Sequence, residues 1–139
     1  MGSREHPVSV HVRLRVSSEA YAIPVSDVRE VVELGQVRAV PRARPELLGV
    51  RNLGGQILPV VDLATVFGIA RTAPPGRLLV VAAGERRAGF AIDEVSGVSE
   101  LGDPTEETES ALLTGATLDG GDLIGVISVT RVLDSLERG

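Results

Sequence analysis

The run Val8-Ser9-Val10-His11-Val12-Arg13-Leu14-Arg15-Val16 alternates apolar and polar residues without a break. That period of two predicts a strand with Val8, Val10, Val12, Leu14 and Val16 on one face. After a polar turn at 17–19, Tyr21-Ala22-Ile23-Pro24-Val25 reads as a second strand, paired with the first as a hairpin. Pro24 has no N–H to give to a ladder and so marks an edge. Asp27-Val28-Arg29-Glu30 carries an acceptor followed three residues later by a glutamate, the pattern of a capped helix start. A short helix is therefore expected, with Val28, Val31, Val32 and Leu34 along one side and Gly35 at its end. Val37 to Val40 reads as a further strand, ended by Pro41 and a loop over 41–45.

The segment Leu48-Gly49-Val50-Arg51-Asn52-Leu53-Gly54-Gly55-Gln56-Ile57-Leu58-Pro59-Val60-Val61-Asp62-Leu63 sets two strand-like runs on either side of a paired glycine. Gly-Gly holds positive φ at both central turn positions, which matches the twist of the flanking strands, so Gly54 and Gly55 form the hinge of a hairpin. Gly49 and Gly55 are expected to serve a turn or a close backbone approach, and Pro59 an edge or a bulge. Asp62 is placed to cap a short helix over 63–67, closed by Gly68.

Arg71-Thr72-Ala73-Pro74-Pro75-Gly76 is the strongest punctuation in the chain and a candidate junction between two lobes. A second hairpin is predicted from Leu78–Ala83 and Ala88–Ile92 around Gly84-Glu85-Arg86, followed by a strand from Val95 to Leu101. An acidic loop over 102–109 precedes a third hairpin, 111–118 with 123–127, turning at Asp119-Gly120-Gly121-Asp122. Thr130 is the expected cap of a terminal helix whose apolar side is Val132, Leu133 and Leu136, with Arg138 near the C-terminal end of its dipole. That helix is expected to seal a barrel. Short strands, glycine turns and few helices make the chain mainly β, as small barrels or a sandwich.

Composition narrows the function. At 139 residues the chain fits one domain or two small lobes sharing a core. That core is aliphatic, since Tyr21, Phe67 and Phe90 are the only aromatics. A net charge of −5, scattered basic residues and so few aromatic platforms argue against nucleic acid as a partner. Without cysteine there is no disulfide framework or thiolate metal site. No apolar run is long enough for a membrane span, so direct membrane insertion is not expected and the cytoplasm is the expected compartment. His6 and His11 lack the spacing of metal ligands and read as solvated surface histidines. No nucleophile elbow or phosphate loop occurs, and the chain contains no lysine. Asp93-Glu94 and the acidic loop read as turn and solvent-exposed carboxylates. No catalytic residue, metal or cofactor is expected.

The 48–63 segment also resembles the signature of the CheW-like coupling proteins of bacterial chemotaxis, whose usual form is Gly-x-x-Asn-Leu-Arg-Gly-x-Ile-x-Pro-Val-x-Asp-Leu. Gly49, Asn52, Leu53, Gly55, Ile57, Pro59, Val60, Asp62 and Leu63 fall in place, while Gly54 stands where the family has arginine. The resemblance runs from about Val10 to Leu136. It implies a single CheW-like domain over 1–139, built as two intertwined SH3-like β-barrel lobes packed together with short helices. It further implies a non-enzymatic adaptor that joins a chemoreceptor cytoplasmic tip to the regulatory domain of a CheA-type histidine kinase. Receptor-facing positions then fall on Val28, Glu30, Gly49, Asn52 and Gly54, with an apolar groove expected at Ile23, Val25 and Val28. Arginine at 54 would bring a fixed charge and several donors to this region. Arg51, three residues earlier on a strand, points to the other face and does not replace it. A small-molecule-binding β-barrel sensor or accessory domain is the alternative, and its pocket would need more convergent polar groups than Asn52 and Asp62.

Overall fold

The computed structural model describes residues 8–108 and 110–137; His6, Glu109 and Arg138 lie outside them. Ten strands are described: β1 (Val8–Val16), β2 (Glu19–Pro24), β3 (Val28–Glu33), β4 (Leu47–Leu53), β5 (Gln56–Asp62), β6 (Arg77–Ala83), β7 (Arg86–Ile92), β8 (Glu94–Gly102), β9 (Leu113–Asp119) and β10 (Asp122–Ile127). Two helices, α1 (Leu63–Val66) and α2 (Val129–Glu137), follow β5 and β10. The strands form two five-stranded sheets, β8-β1-β2-β10-β9 (lobe A) and β3-β6-β7-β5-β4 (lobe B). The fold is mainly β, as the strand pattern implied, and its two small barrel-like lobes packed together are those the resemblance implied.

The expected hairpins form, β1/β2, β4/β5, β6/β7 and β9/β10, each antiparallel. The chain crosses between sheets at the 3-10 turn Val25–Asp27 and again at Asp93. The proline-rich segment 71–76 is not that crossing: it joins α1 to β6 inside lobe B. Prolines punctuate a chain wherever the backbone must leave regular structure, whether or not a lobe ends there.

Other expectations are also overturned. The stretch after Asp27 is a strand, β3, paired antiparallel with β6. Its β-branched valines suit a pleated sheet, and long-range pairing outweighs a local capping pattern. Val37 to Val40 is not a strand but makes one bridge, Arg38 with Val50. His11 is buried at 5% exposure, its ring Nδ1–H donating to the Ser9 carbonyl at 2.9 Å. It sits on the face of β1 that curls inward around lobe A, whereas Val8 and Val10 at the strand's start are exposed.

Strand faces explain the apolar runs that do not alternate. Leu79 and Val81 of β6 join a central cluster between the lobes, while Leu78 and Val80 fill the interior of lobe B with Leu58, Val60 and Ala91. Both faces of such a strand are dry, so both must be apolar. The central cluster draws Leu14, Tyr21, Ile23 and Ile127 from lobe A and Val61, Leu63, Phe90 and Ile92 from lobe B. Lobe A's own interior is small: Ala22, Leu101 and Ile124, with Ala20 beside them.

Both helices reach across. α2 buries Val129, Val132 and Leu133 in the central cluster, with Leu136 packed against it. Arg44 donates to the carbonyls of Ser135 and Leu136 in its last turn, and Arg86 of β7 pairs with Asp134 at 2.7 Å. Its start is capped by the Ser128 hydroxyl, which accepts the Arg131 N–H at 3.2 Å, so Thr130 is a helical residue and not the cap. Beyond α1, Phe67 stacks on Tyr21 of β2 with centroids 4.8 Å apart, and the Ser17 hydroxyl donates to the Ala70 carbonyl.

The lobes repeat one another. Gly49, Gly54, Gly55 and Val60 correspond without a gap to Gly115, Gly120, Gly121 and Val126. Gly49 and Gly115 have φ of 146° and 148°, and both Gly-Gly pairs have positive φ. The parallel pairings also correspond, Val60 with Gly89 and Val126 with Ala22. In strand order β3, β4, β5, α1, β6, β7 match β8, β9, β10, α2, β1, β2, so lobe A is assembled from both ends of the chain.

Candidate partner-binding surface

The β4/β5 hairpin turns at Gly54 and Gly55, with φ of 60° and 91°, the left-handed pair that a two-residue turn of this type requires. The Asn52 side-chain oxygen accepts the Gly55 N–H at 2.9 Å and fixes the tip. At the other end of β4, Arg38 and Val50 exchange two backbone hydrogen bonds of 2.9 and 2.8 Å, which close lobe B. Gly49 sits in that closure: a Cβ would lie 2.6 Å from the Arg38 carbonyl carbon and closer still to its oxygen. β4 also bulges between Leu47 and Gly49, so the irregularity lies opposite the proline-bearing strand and not at Pro59. Pro59 and Pro24 lie on inner strands, β5 and β2, yet each falls outside the short parallel pairing on its strand. The missing N–H therefore breaks no ladder, and neither proline marks a sheet edge.

Asp62 precedes α1 as expected but makes no side-chain bond to the helix backbone. Its side chain, 6% exposed, instead accepts the Thr65 hydroxyl at 2.6 Å and pairs with the Arg71 guanidinium. A buried charge needs a partner, and the salt bridge anchors the loop after α1. Gly68, with φ of 68°, ends the helix.

The CheW-like domain family matches residues 11–137. The chain belongs to the CheW-like family. A probable chemotaxis protein CheW from Rhizobium etli is 31% identical over 107 residues, covering 73% of this chain and 69% of its own. The chemotaxis protein CheW of Helicobacter pylori is 31% identical over 128 residues, 85% of this chain and 77% of its own. The crystal structure of the scaffolding protein TtCheW from Thermoanaerobacter tengcongensis superposes with a TM-score of 0.79 at 26% identity, covering 88% of this chain and 90% of that one.

On this CheW-like frame the expected receptor-facing residues fall into two groups. Val28 and Glu30 lie on β3, at one end of lobe B's strand order, and Gly49, Asn52 and Gly54 lie on β4 and its turn at the other. Glu30, Asn52 and Gly54 are exposed, Val28 is half-buried against the central cluster, and Gly49 is buried. The groove expected at Ile23, Val25 and Val28 is incomplete: Ile23 is fully buried in the central cluster, and only Val25 is exposed. Ile23 lies on the face of β2 that packs on lobe B, which strand alternation does not distinguish from a solvent groove.

Sharing only Asn52 with those positions is an open cleft of about 520 Å³ lined by Gln36, Arg38, Val50, Arg51, Asn52 and Ile57. Arg51 Nε donates to the Leu34 carbonyl at 2.8 Å and Nη1 to the Asn52 carbonyl at 2.5 Å. The guanidinium lies over Gly35, where a Cβ would come 2.5 Å from Nε. Gly35, read in sequence as a helix end, is thus the seat of an arginine. No local signal marks this cleft in the sequence, because Arg42 and Arg44 intervene and only the Arg38–Val50 closure brings 38 beside 51.

Proposed function

We propose that this chain is a non-enzymatic coupling adaptor that joins a chemoreceptor cytoplasmic tip to the regulatory domain of a CheA-type histidine kinase. The observation that carries the reading is the CheW-like match over 11–137 on the two-lobed fold of a scaffolding protein. Membership in that family makes the chain a chemotaxis signalling adaptor; which macromolecules it joins is the finer part of the proposal. The chain acts as one domain of two interdependent lobes, and it works in the cytoplasm. No helix among the described residues is long and apolar enough to cross a membrane.

In this reading Glu30, Asn52 and Gly54 offer receptor contacts. Val28 and Gly49 hold the strands that present them. Gly54 leaves the tip without the family's guanidinium, and nothing lies within 4 Å of a Cβ built there, so the position has room for a side chain. Separate pull-downs with the cognate kinase regulatory domain and with a receptor tip test the proposal. Binding to each is expected, with Gly54→Arg altering receptor retention. Binding to neither overturns it.

A further inference from the structure

We propose that the cleft beside the signature hairpin docks a carboxylate-bearing segment of a partner protein. Two arginines, Arg38 and Arg51, line this cleft, and none of its lining residues is acidic, in a chain whose net charge is −5. Among the described residues no carboxylate pairs with Arg38 or Arg51, as with several surface arginines, whereas Arg13, Arg15, Arg44, Arg71 and Arg86 each have at least one; what sets Arg38 and Arg51 apart is that they share one cleft. The cleft is thus a local inversion of the molecule's charge, with its positive groups uncompensated.

The site is also preorganised. Arg51 is held by two backbone carbonyls and by the bare face of Gly35, and among the described residues its Nη2 has no hydrogen-bond partner. Arg38 is fixed at its backbone by the closure with Val50, and its side chain has no hydrogen bond to a described residue. Asn52 spends its oxygen on Gly55 and keeps its amide N–H groups, beside the amide of Gln36. A planar carboxylate suits such a set of donors, because guanidinium groups bind it through paired hydrogen bonds.

A peptide is favoured over a free phosphate on two grounds. Phosphate sites commonly use turn amides, and the Gly55 N–H is already taken by Asn52. Ile57, 58% exposed, and the half-buried Val50 border the donors and offer an aliphatic side chain a place to pack. The cleft therefore places a positive charge near the hairpin that lacks one at Gly54, contributed by a different strand face. That the occupant is a protein rests on the adaptor reading; the anionic chemistry does not.

The experiment is a 15N NMR titration of the full chain with a blocked Glu-Leu-Glu-Glu-Leu peptide, its glutamine counterpart and inorganic phosphate. The acidic peptide should shift the amides of Gln36, Arg38, Arg51 and Asn52 saturably. Its affinity should fall about five- to tenfold in Arg38→Gln, the scale of one lost charge-assisted contact, and also on raising salt across the screening range. Equal binding of the glutamine peptide, equal or tighter binding of phosphate at the same amides, shifts centred elsewhere, or no shifts would each overturn the proposal. Peptide binding without retention of kinase or receptor would refute the adaptor reading alone. Retention of both partners with no peptide effect would refute the cleft alone.

Discussion

Replacing Gly49 by alanine would drive a Cβ into the Arg38 carbonyl, 2.6 Å from its carbon, at a backbone φ of 146°. Positive φ costs a residue with a Cβ about 1–2 kcal/mol. More is lost at the closure itself: Arg38 must retreat, and its two hydrogen bonds with Val50 contribute about 0.5–1.5 kcal/mol each. Alanine returns about 0.4–1 kcal/mol by stiffening the unfolded chain. The net loss is therefore about 3 kcal/mol, a shift of roughly 1–3 M in the urea midpoint for a slope of about 1–3 kcal/mol per M. Gly54→Ala is the control, with positive φ but no atom within 4 Å of its Cβ, and should lose only about 1 kcal/mol. Gly115→Ala should fall between them, because its Cβ would lie 2.9 Å from Pro104 Cβ and 3.0 Å from the Glu106 oxygen. If Gly49→Ala and Gly54→Ala unfold at the same urea concentration, close approach is not what Gly49 provides, and the argument fails.

Two further outcomes are expected. Arg71→Leu leaves the Asp62 carboxylate buried with the Thr65 hydroxyl as its remaining side-chain partner among the described residues, and should cost about 2 kcal/mol in urea unfolding, less than a fully buried pair because Arg71 is itself partly exposed; adding Asp62→Asn should recover part of the loss, and no recovery would refute the pairing argument. Tyr21 is the only tyrosine, and burial first, with Glu19 adding repulsion, pushes its phenol up to about 12. Because the folded value exceeds the unfolded one near 10, the stability it contributes is complete below pH 10 and lost as pH rises from 10 through 12. Phenolate absorbance should titrate near 12 in the native protein and near 10 in urea, and coincident midpoints would contradict the burial.

What the sequence disclosed follows the range of the interactions involved. The hairpin turns at 54–55 and 120–121 were legible because turn chemistry is local: two glycines with positive φ suffice. β3 was misread for the same reason in reverse, since Asp27 and Glu30 carry a local helix signal and the pairing partner, β6, lies far along the chain. His11 alternates correctly yet is buried, because alternation reports which face a residue occupies and not whether the sheet curls over that face. The position of Asp62 at the start of α1 was evident, but its Arg71 partner was not, since an ion pair across a loop leaves no periodic trace. The cleft at Arg38 and Arg51 exists only once lobe B closes, bringing 34–38 against 50–52.

The repeat gives this closure a wider meaning. Each lobe ends in a helix or its exit docked on the other: α2 on lobe B through Arg44, Arg86 and the central cluster, and Phe67 after α1 on Tyr21 of lobe A. Lobe A's private core is too slight to hold five strands by itself, being only Ala22, Leu101 and Ile124 with Ala20 beside them. Its stability must therefore come from the cluster it shares with lobe B, where burying a side chain such as Phe90 contributes about 2–3 kcal/mol. Interlocked lobes cannot rotate against each other without opening that cluster. Surfaces on the two lobes are consequently held at one fixed relation, and for an adaptor that relation is what coupling requires: a partner seated on one face meets a second partner at a geometry set by the shared core.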